Sequence, residues 1–265
     1  MNRCDLPPGV TIIMSIWSFK HKRFPDSRIQ KHKSRLCAHG GMQTWGENYW
    51  ETYDPVVHWL SVRTLLIVSM LNDLEARSID FTLAFPQADL DVYMYMELPV
   101  GFDNNGCKGK HVLKLNKYVY RLKQAAYNWF QLLKSGLESR GYEHQSSTDN
   151  CVFQSKESIV LVYVDDCIIF SKKGLGISKR LIDSPQKGNE NFQFTDEGPL
   201  VKYIGVDIKK HKDRKVELTQ PHLIERFLAV INQDKHINEK PTPVTKPLLH
   251  KDIDSLDRQF DWNYR

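Results

Sequence analysis

The run Ser158-Ile159-Val160-Leu161-Val162-Tyr163-Val164-Asp165-Asp166-Cys167-Ile168-Ile169-Phe170 places two adjacent carboxylates between two apolar, β-branched segments. Such flanks predict two buried strands, and a two-residue acidic turn at Asp165-Asp166 reads as the tip of the hairpin joining them. Carboxylates held side by side repel, by roughly 4 kcal/mol at about 4 Å and an effective dielectric near 20. A solvated Asp-Asp turn that caps a hairpin is one outcome. The other is a divalent cation; Mg²⁺ in particular is held by one or two carboxylates together with substrate phosphates.

A third carboxylate supplies the missing partner. Asp80 lies in Arg77-Ser78-Ile79-Asp80-Phe81-Thr82-Leu83-Ala84-Phe85, after a segment of helical character from Ser61 to Ala76. In that segment Val62, Leu65, Leu66, Val68, Met70, Leu71 and Leu74 form a broad apolar face, with Ser61 as the expected N-cap. A helix, a strand ending in Asp80 and a later hairpin bearing Asp165 and Asp166 make a workable three-carboxylate site. Sites of this kind hold two metal ions about 3.5–4 Å apart and drive in-line phosphoryl transfer.

Tyr163-Val164-Asp165-Asp166 resembles the Tyr-Val-Asp-Asp signature of reverse transcriptases, and the surrounding blocks resemble the copia-type branch of LTR retrotransposons. These blocks are Lys33-Ser34-Arg35-Leu36-Cys37-Ala38-His39-Gly40-Gly41, Tyr49-Trp50-Glu51-Thr52-Tyr53-Asp54-Pro55-Val56-Val57 and Ile79-Asp80-Phe81-Thr82-Leu83-Ala84-Phe85-Pro86-Gln87-Ala88. They continue with Tyr95-Met96-Glu97-Leu98-Pro99-Val100-Gly101-Phe102, Leu122-Lys123-Gln124-Ala125, Tyr203-Ile204-Gly205-Val206 and Leu218-Thr219-Gln220-Pro221-His222-Leu223-Ile224. Their order is that of the family, over roughly residues 10 to 265.

The resemblance implies an α+β, right-hand polymerase of fingers and palm, with a split βαβ antiparallel palm sheet and an incomplete thumb. The implied division is a tail over 1–9, a single fingers-and-palm domain over 10–232, and a linker with the start of a truncated thumb over 233–265. It further implies an RNA-directed DNA polymerase using two Mg²⁺ ions, with Mn²⁺ as a substitute, on Asp80, Asp165 and Asp166. Phe85 matches the aromatic gate that crowds a ribose 2′-OH; the alternative is an ordinary core phenylalanine. Phe81 and Ala84 would contribute backbone around the metals and triphosphate. Gln124 matches a glutamine packed under the incoming base pair, or is a solvated first-turn residue. Lys33 and Arg35 would face the triphosphate, although Arg28 and Lys31 are expected on the same face and any of the four could serve. Ile204 and Gly205 match a turn that grips the primer terminus, with the glycine inside a strand, where a simple bulge is the alternative. Partners so implied are an RNA or DNA template with primer, dNTPs, and other Pol segments (ribonuclease H, integrase) or a second reverse transcriptase chain.

Other features bound this reading. Of 265 residues, 37 are Lys or Arg and 32 Asp or Glu, a net charge of +5 that suits nucleic acid without identifying it. Five cysteines show no C-x-x-C pair, as expected for reduced thiols in an intracellular protein, in a cytoplasmic particle or nucleus and not secreted. No apolar run is long enough to cross a membrane. A basic strand from Arg28 to Leu36 is expected to pair with Ile12 to Phe19 across a Pro25-Asp26-Ser27 turn. Residues 103–109 read as a loop, 216–218 as a strand, Pro221 to about Val230 as a helix, and 240–247 as an extended linker.

Two departures from the family pattern stand out. Arg121 occupies the usual glycine before Leu122-Lys123-Gln124, which is costly if the position needs positive φ. Pro185 and Gly188 fall where the family has a regular helix, and should shorten or break it. A polymerase, a catalytically dead remnant that binds template–primer, and a remnant that does not fold stably therefore all remain open.

Overall fold

The computed structural model describes residues 1–23, 28–102, 109–144, 149–174, 192–211 and 213–231. The expected turn at 25–27, most of the 103–109 loop, the helix break at 182–190, the linker at 240–247 and the segment 233–265 lie outside them. The chain divides into two compact units, Met1–Gln220 and Pro221–Arg265. The described part of the second is helix α4 (Pro221–Ile231), which begins with the expected proline.

The first unit runs β1 (Ile12–Ile13), β2 (Ser15–Arg23), β3 (Ile29–Ala38), α1 (Trp59–Leu71), β4 (Leu74–Phe81), α2 (Ala84–Gln87), β5 (Asp89–Glu97), β6 (Val112–Lys117) and α3 (Ala125–Glu138). It continues with β7 (Glu143–His144), β8 (Val152–Gln154), β9 (Ser158–Tyr163), β10 (Asp166–Lys172), β11 (Phe194–Pro199), β12 (Lys202–Tyr203), β13 (Val206–Lys210) and β14 (Val216–Thr219). Its largest sheet has the order β11-β4-β10-β9-β8-β7, antiparallel throughout. Smaller sheets are β1-β5-β6, β12-β13-β14 and the β2-β3 hairpin. The result is a mixed α+β fold, rich in strands.

The apolar run of the sequence becomes the middle of the large sheet. Leu161, Cys167, Ile168 and Phe170 are wholly buried, and burying an aliphatic or aromatic side chain of this size is worth about 1.5–3 kcal/mol. Helix α3 buries Ala125, Trp129, Phe130, Leu133 and Leu137, a spacing that repeats once per helical turn. With Val62 and Leu66 of α1 and the large sheet, most of these residues form the main core. A second cluster holds Ile13, Ala38, Met94, Met96, Tyr118 and Leu122, and Phe85 packs against both.

Three expectations about elements are corrected. Helix α1 starts at Trp59, so Ser61 is not its N-cap; that position is His58. Instead a distant carboxylate caps the helix: Asp149 Oδ2 accepts the His58 N–H at 3.0 Å and also the Ser61 hydroxyl. The helix ends at Leu71 rather than Ala76, because Asp73 turns the chain at φ +51° and Leu74 already belongs to β4. The basic strand pairs with Ser15–Arg23, whereas Ile12 and Ile13 run parallel to Tyr95 and Met96 of β5. No helix among the described residues is long and apolar enough to cross a membrane. Cys4, Cys37, Cys151 and Cys167 are free thiols.

Candidate active site

The turn of the β9–β10 hairpin is Val164-Asp165, one residue earlier than expected, because Tyr163 pairs with Asp166 and Asp166 opens β10. Val164 sits at φ +54°. Strain of this kind costs on the order of 1–3 kcal/mol in a residue other than glycine and persists only where the surroundings impose it. Here they do: Trp129 Nε1 donates to the Val164 carbonyl at 2.8 Å, and the Phe81 amide donates to the Asp165 carbonyl at 2.9 Å. In the β4–β10 register Asp166 lies opposite Asp80. Strand pairing and one interstrand bond thus bring the backbones of Asp80, Asp165 and Asp166 to the same end of the sheet.

A fourth carboxylate joins them that the sequence reading missed. Strand β11 flanks β4 with Thr195 opposite Asp80, and its register shifts between Asp196 and Gly198. The residue in that bulge is Glu197, whose Oε2 accepts the Ser78 hydroxyl at 3.4 Å. Burial, and then the charges of Asp165, Asp80 and Glu197, push Asp166 up to about 6. Asp80 is raised by burial, Asp165 and Glu197, and drawn back by Lys33 and Lys22.

Carboxylates are hard oxygen donors, and the crowding that raises Asp80 and Asp166 is of the kind a hard divalent cation such as Mg²⁺ would relieve. As they stand, no three His, Cys, Asp or Glu side chains among the described residues are arranged as a metal-binding group. The backbone gathers the carboxylates, but their side chains are not drawn into a ligand cluster.

Facing charge comes from the β2–β3 hairpin. Its register sets Arg35 opposite Ser18, Lys33 opposite Lys20, and Lys31 opposite Lys22. Side chains alternate along a strand, so Lys31, Lys33 and Arg35 share one face with Lys20 and Lys22. Arg28 precedes the strand and has the opposite parity, so it does not belong to that row. Like charges directly across a ladder are destabilising, where an opposite-charge pair would contribute roughly 0.2–1 kcal/mol. The Lys33 ammonium is lowered by burial, Arg35 and Lys22, while Asp165 and Asp80 act to raise it. Arg35 stacks its guanidinium over Tyr120, 5.1 Å from the ring centre, and its buried Nε has no hydrogen-bond partner.

Between the two hairpins is a cavity of about 380 Å³, lined in part by Arg35, Ala84, Phe85, Tyr120, Arg121 and Asp165. Leu83, at φ +50°, turns the chain into α2 and brings Ala84 and Phe85 to this wall. The Phe85 ring meets Tyr120 edge-on, with centroids 5.3 Å apart. Phe81 points the other way, into the core against Trp129, Phe192 and Phe194, and offers the site only its backbone. Arg121 adopts φ +69°, so the conditional cost attached to losing a glycine there applies. Its carbonyl also approaches Gly40 so closely that a Cβ on Gly40 would lie 2.1 Å from the oxygen.

Gln124 is 2% exposed, which excludes the solvated alternative. Its Oε1 accepts from Gln43 Nε2 at 2.8 Å and its Nε2 donates to the Asn48 carbonyl at 2.6 Å. Gln43 Oε1 accepts the Lys123 amide at 2.8 Å, locking the start of α3 to the 43–48 segment. Gln43 was not singled out from the sequence, since nothing in a lone glutamine reveals that its amide is buried. Ile204 and Gly205 form the two-residue turn between β12 and β13, at φ +46° and +77°. The glycine is therefore in a hairpin turn rather than inside a strand. A Cβ there would meet no protein atom within 4 Å, so within the chain the glycine answers the positive φ of the turn. The adjoining Tyr203 is buried, and its hydroxyl is raised by burial and then by Cys167 and Asp166.

Residues 2–246 match the family model described as reverse transcriptase (RNA-dependent DNA polymerase). The chain is 36% identical over 251 residues to the retrovirus-related Pol polyprotein from transposon TNT 1-94 of Nicotiana tabacum, covering 92% of itself and 18% of that protein. It is 33% identical over 245 residues to the Pol polyprotein from transposon RE1 of Arabidopsis thaliana, covering 91% and 16%. With the transposon Ty1-NL2 Gag-Pol polyprotein of Saccharomyces cerevisiae it shares 26% identity over 262 residues, covering 94% and 14%. It thus spans less than a fifth of each of these relatives.

Proposed function

The chain belongs to the reverse transcriptase (RNA-dependent DNA polymerase) family, and we propose that it is the RNA-directed DNA polymerase domain of a copia-type retrotransposon Pol polyprotein. Fingers would correspond to the β2–β3 hairpin and its neighbours, and the palm to the large sheet with α1 and α3. Template with primer and dNTPs would be its substrates, and other Pol segments or a second reverse transcriptase chain its companions.

In this reading Asp80, Asp165 and Asp166 would hold two Mg²⁺ ions, and the chemistry these would supply is Lewis-acid activation of a primer hydroxyl and neutralisation of charge on the leaving group. Lys33 and Arg35 take the triphosphate, the guanidinium through paired N–H donors. Ala84 offers backbone beside it. Phe85 fills the space a 2′-OH would need, and its place on the cavity wall supports a gate over a core phenylalanine. Ile204-Gly205 steadies the primer end. Gln124 acts from beneath, holding α3 and the 43–48 segment in place rather than touching a base. The observation that carries this reading is the cavity that brings Asp165 of the β9–β10 turn, Arg35 of β3 and Phe85 together in its wall.

A second reading is a chain that binds template–primer without turnover. Arg121 favours it, since a long cation in a strained backbone lines the same cavity. Primer extension on a DNA-primed RNA template with Mg²⁺, beside the Asp165→Asn, Asp166→Asn variant, separates the two. Polymerisation predicts extension that falls at least about a thousandfold in the variant, roughly 4 kcal/mol of transition-state stabilisation. No extension from a protein that melts cooperatively and binds duplex in a salt-dependent way selects the second reading.

A further inference from the structure

A second cavity, of about 440 Å³, lies at the opposite end of the strands that carry the carboxylates. β10 pairs Asp166 with Asp80 at one end and Lys172 with Leu74 at the other. At about 3.3 Å per residue those ends are about 20 Å apart. The distal cavity is bounded by the C-terminal end of α1, the start of β4, the residue after β10 and the β13–β14 connection.

Its charge is uneven. Lys173, Lys210 and Arg214 line it, opposed by Asp73 and Glu75. Glu75 is already engaged by Arg77 at 3.0 Å. Among the described residues, no carboxylate lies within ion-pair distance of Lys173, Lys210 or Arg214. His211, which also lines the cavity, and the neighbouring Lys215, in contrast, have Glu217 at 2.9 Å and Asp213 at 2.6 Å.

Lys210 Nζ instead donates to Ser69 Oγ at 3.3 Å, and that fully buried hydroxyl donates in turn to the Leu66 carbonyl. A simpler role for Lys210 would be to cap the C-terminus of α1. Lys210 donates to the Ser69 hydroxyl and to none of the terminal carbonyls, however; Asn72 reaches the Val68 carbonyl through Nδ2 at 2.9 Å and its amide at 3.0 Å, and the Asp73 amide reaches that of Met70 at 3.5 Å. Burial, and then Lys173, lower the Lys210 ammonium, as expected for two lysines sharing a recess without a counterion.

We propose that this distal cavity is a phosphate-binding site, separate from the nucleotide cavity. Lys173, Lys210 and Arg214 would neutralise the anion and the Lys210–Ser69 bond would fix one cation in place. The volume falls in the ordinary range for small-ligand sites, about 300–1,000 Å³. The phosphate could belong to a free anion of nucleotide size or to a nucleic-acid strand, since both present the same oxygens. The proposal does not rest on polymerase activity.

Lysine acetylation followed by mass spectrometry tests it on the full chain in metal-free buffer, with pyrophosphate in one arm and single-stranded oligothymidylate in the other. At a probe concentration about ten times its Kd, Lys173 and Lys210 should be modified about tenfold more slowly, with Lys215 unchanged. Protection by pyrophosphate alone assigns a free anion; protection by the oligonucleotide assigns a strand. Unchanged rates at Lys173 and Lys210 in both arms overturn the proposal, including when Lys33 is protected. Arg214→Gly suits the left-handed backbone at φ +60° and removes the guanidinium; it should weaken the protection, and protection equal to the native chain also overturns the site.

Discussion

The two hairpins on either side of the cavity that Phe85 lines are built on opposite principles of charge and share one defect. β9–β10 ends in Asp166, whose affinity for a proton is raised by burial and by its carboxylate neighbours, and β2–β3 carries lysines directly across from lysines. Each is unfavourable by itself, and each is tolerated for a different reason. β9–β10 is buried along most of its length, with a strained valine at the turn held by Trp129. β2–β3 is exposed over its outer half, where water screens the repulsion. A magnesium–triphosphate complex would relieve both, with metal on one side and phosphate oxygens on the other. The comparison teaches that, on the proposed function, two separately unfavourable charge arrangements are ones that a single ligand would satisfy together.

The comparison breaks most sharply if the cations are dispensable. Replacing Lys33 and Arg35 together by glutamine should weaken dNTP binding about a hundredfold, taking about 1.5 kcal/mol for each charged hydrogen bond, with little change in the melting temperature. Pre-steady-state extension at varied dNTP gives that constant, and an unchanged value would remove the β2–β3 face from the site. Phe85→Ala tests the wall between the hairpins. Selection against ribonucleotides should fall about tenfold or more, a pocket effect of roughly 1–3 kcal/mol; competition between dNTP and rNTP measures it.

The smallest effect concerns the acidic hairpin alone. Because Asp166 is raised in the folded chain, the folded state binds more protons than the unfolded one between the ordinary aspartate value and about 6. Stability without divalent cation should therefore fall as pH rises through that window. Asp166→Asn should flatten the profile and add about 1 kcal/mol at pH 7, after allowance for partial exposure. Urea melts from pH 4 to 7 read this directly, and a profile unchanged by the substitution would show that the crowding is already relieved.

Much of this was legible in the sequence for identifiable reasons. Long apolar runs with acidic breaks made the β9–β10 hairpin, and a helical apolar period made α3. The cost of Arg121 was legible because glycine has a conformational role that can be named. What escaped was set by distant partners. Asp149 caps α1 from another element, Gln43 and Gln124 bury one another's amides, and Glu197 reaches the site through a bulge. No local pattern announces any of them. The hairpin turn was misplaced by one residue because Val164 is a poor turn former held there by Trp129 and not by its own preference.

Coupling between metal and nucleotide tests the central claim most directly. Calorimetric titration of dTTP into the chain bound to template–primer with a chain-terminated primer, with and without Mg²⁺, should show dTTP binding at least about tenfold tighter with the metal, about 1.4 kcal/mol of coupling. Asp165→Asn should abolish that difference, while Lys33→Gln should weaken dTTP under both conditions. Equal affinity with and without Mg²⁺ in the native chain would mean that the two hairpins do not act on one ligand, and the account of their opposed charges would fail.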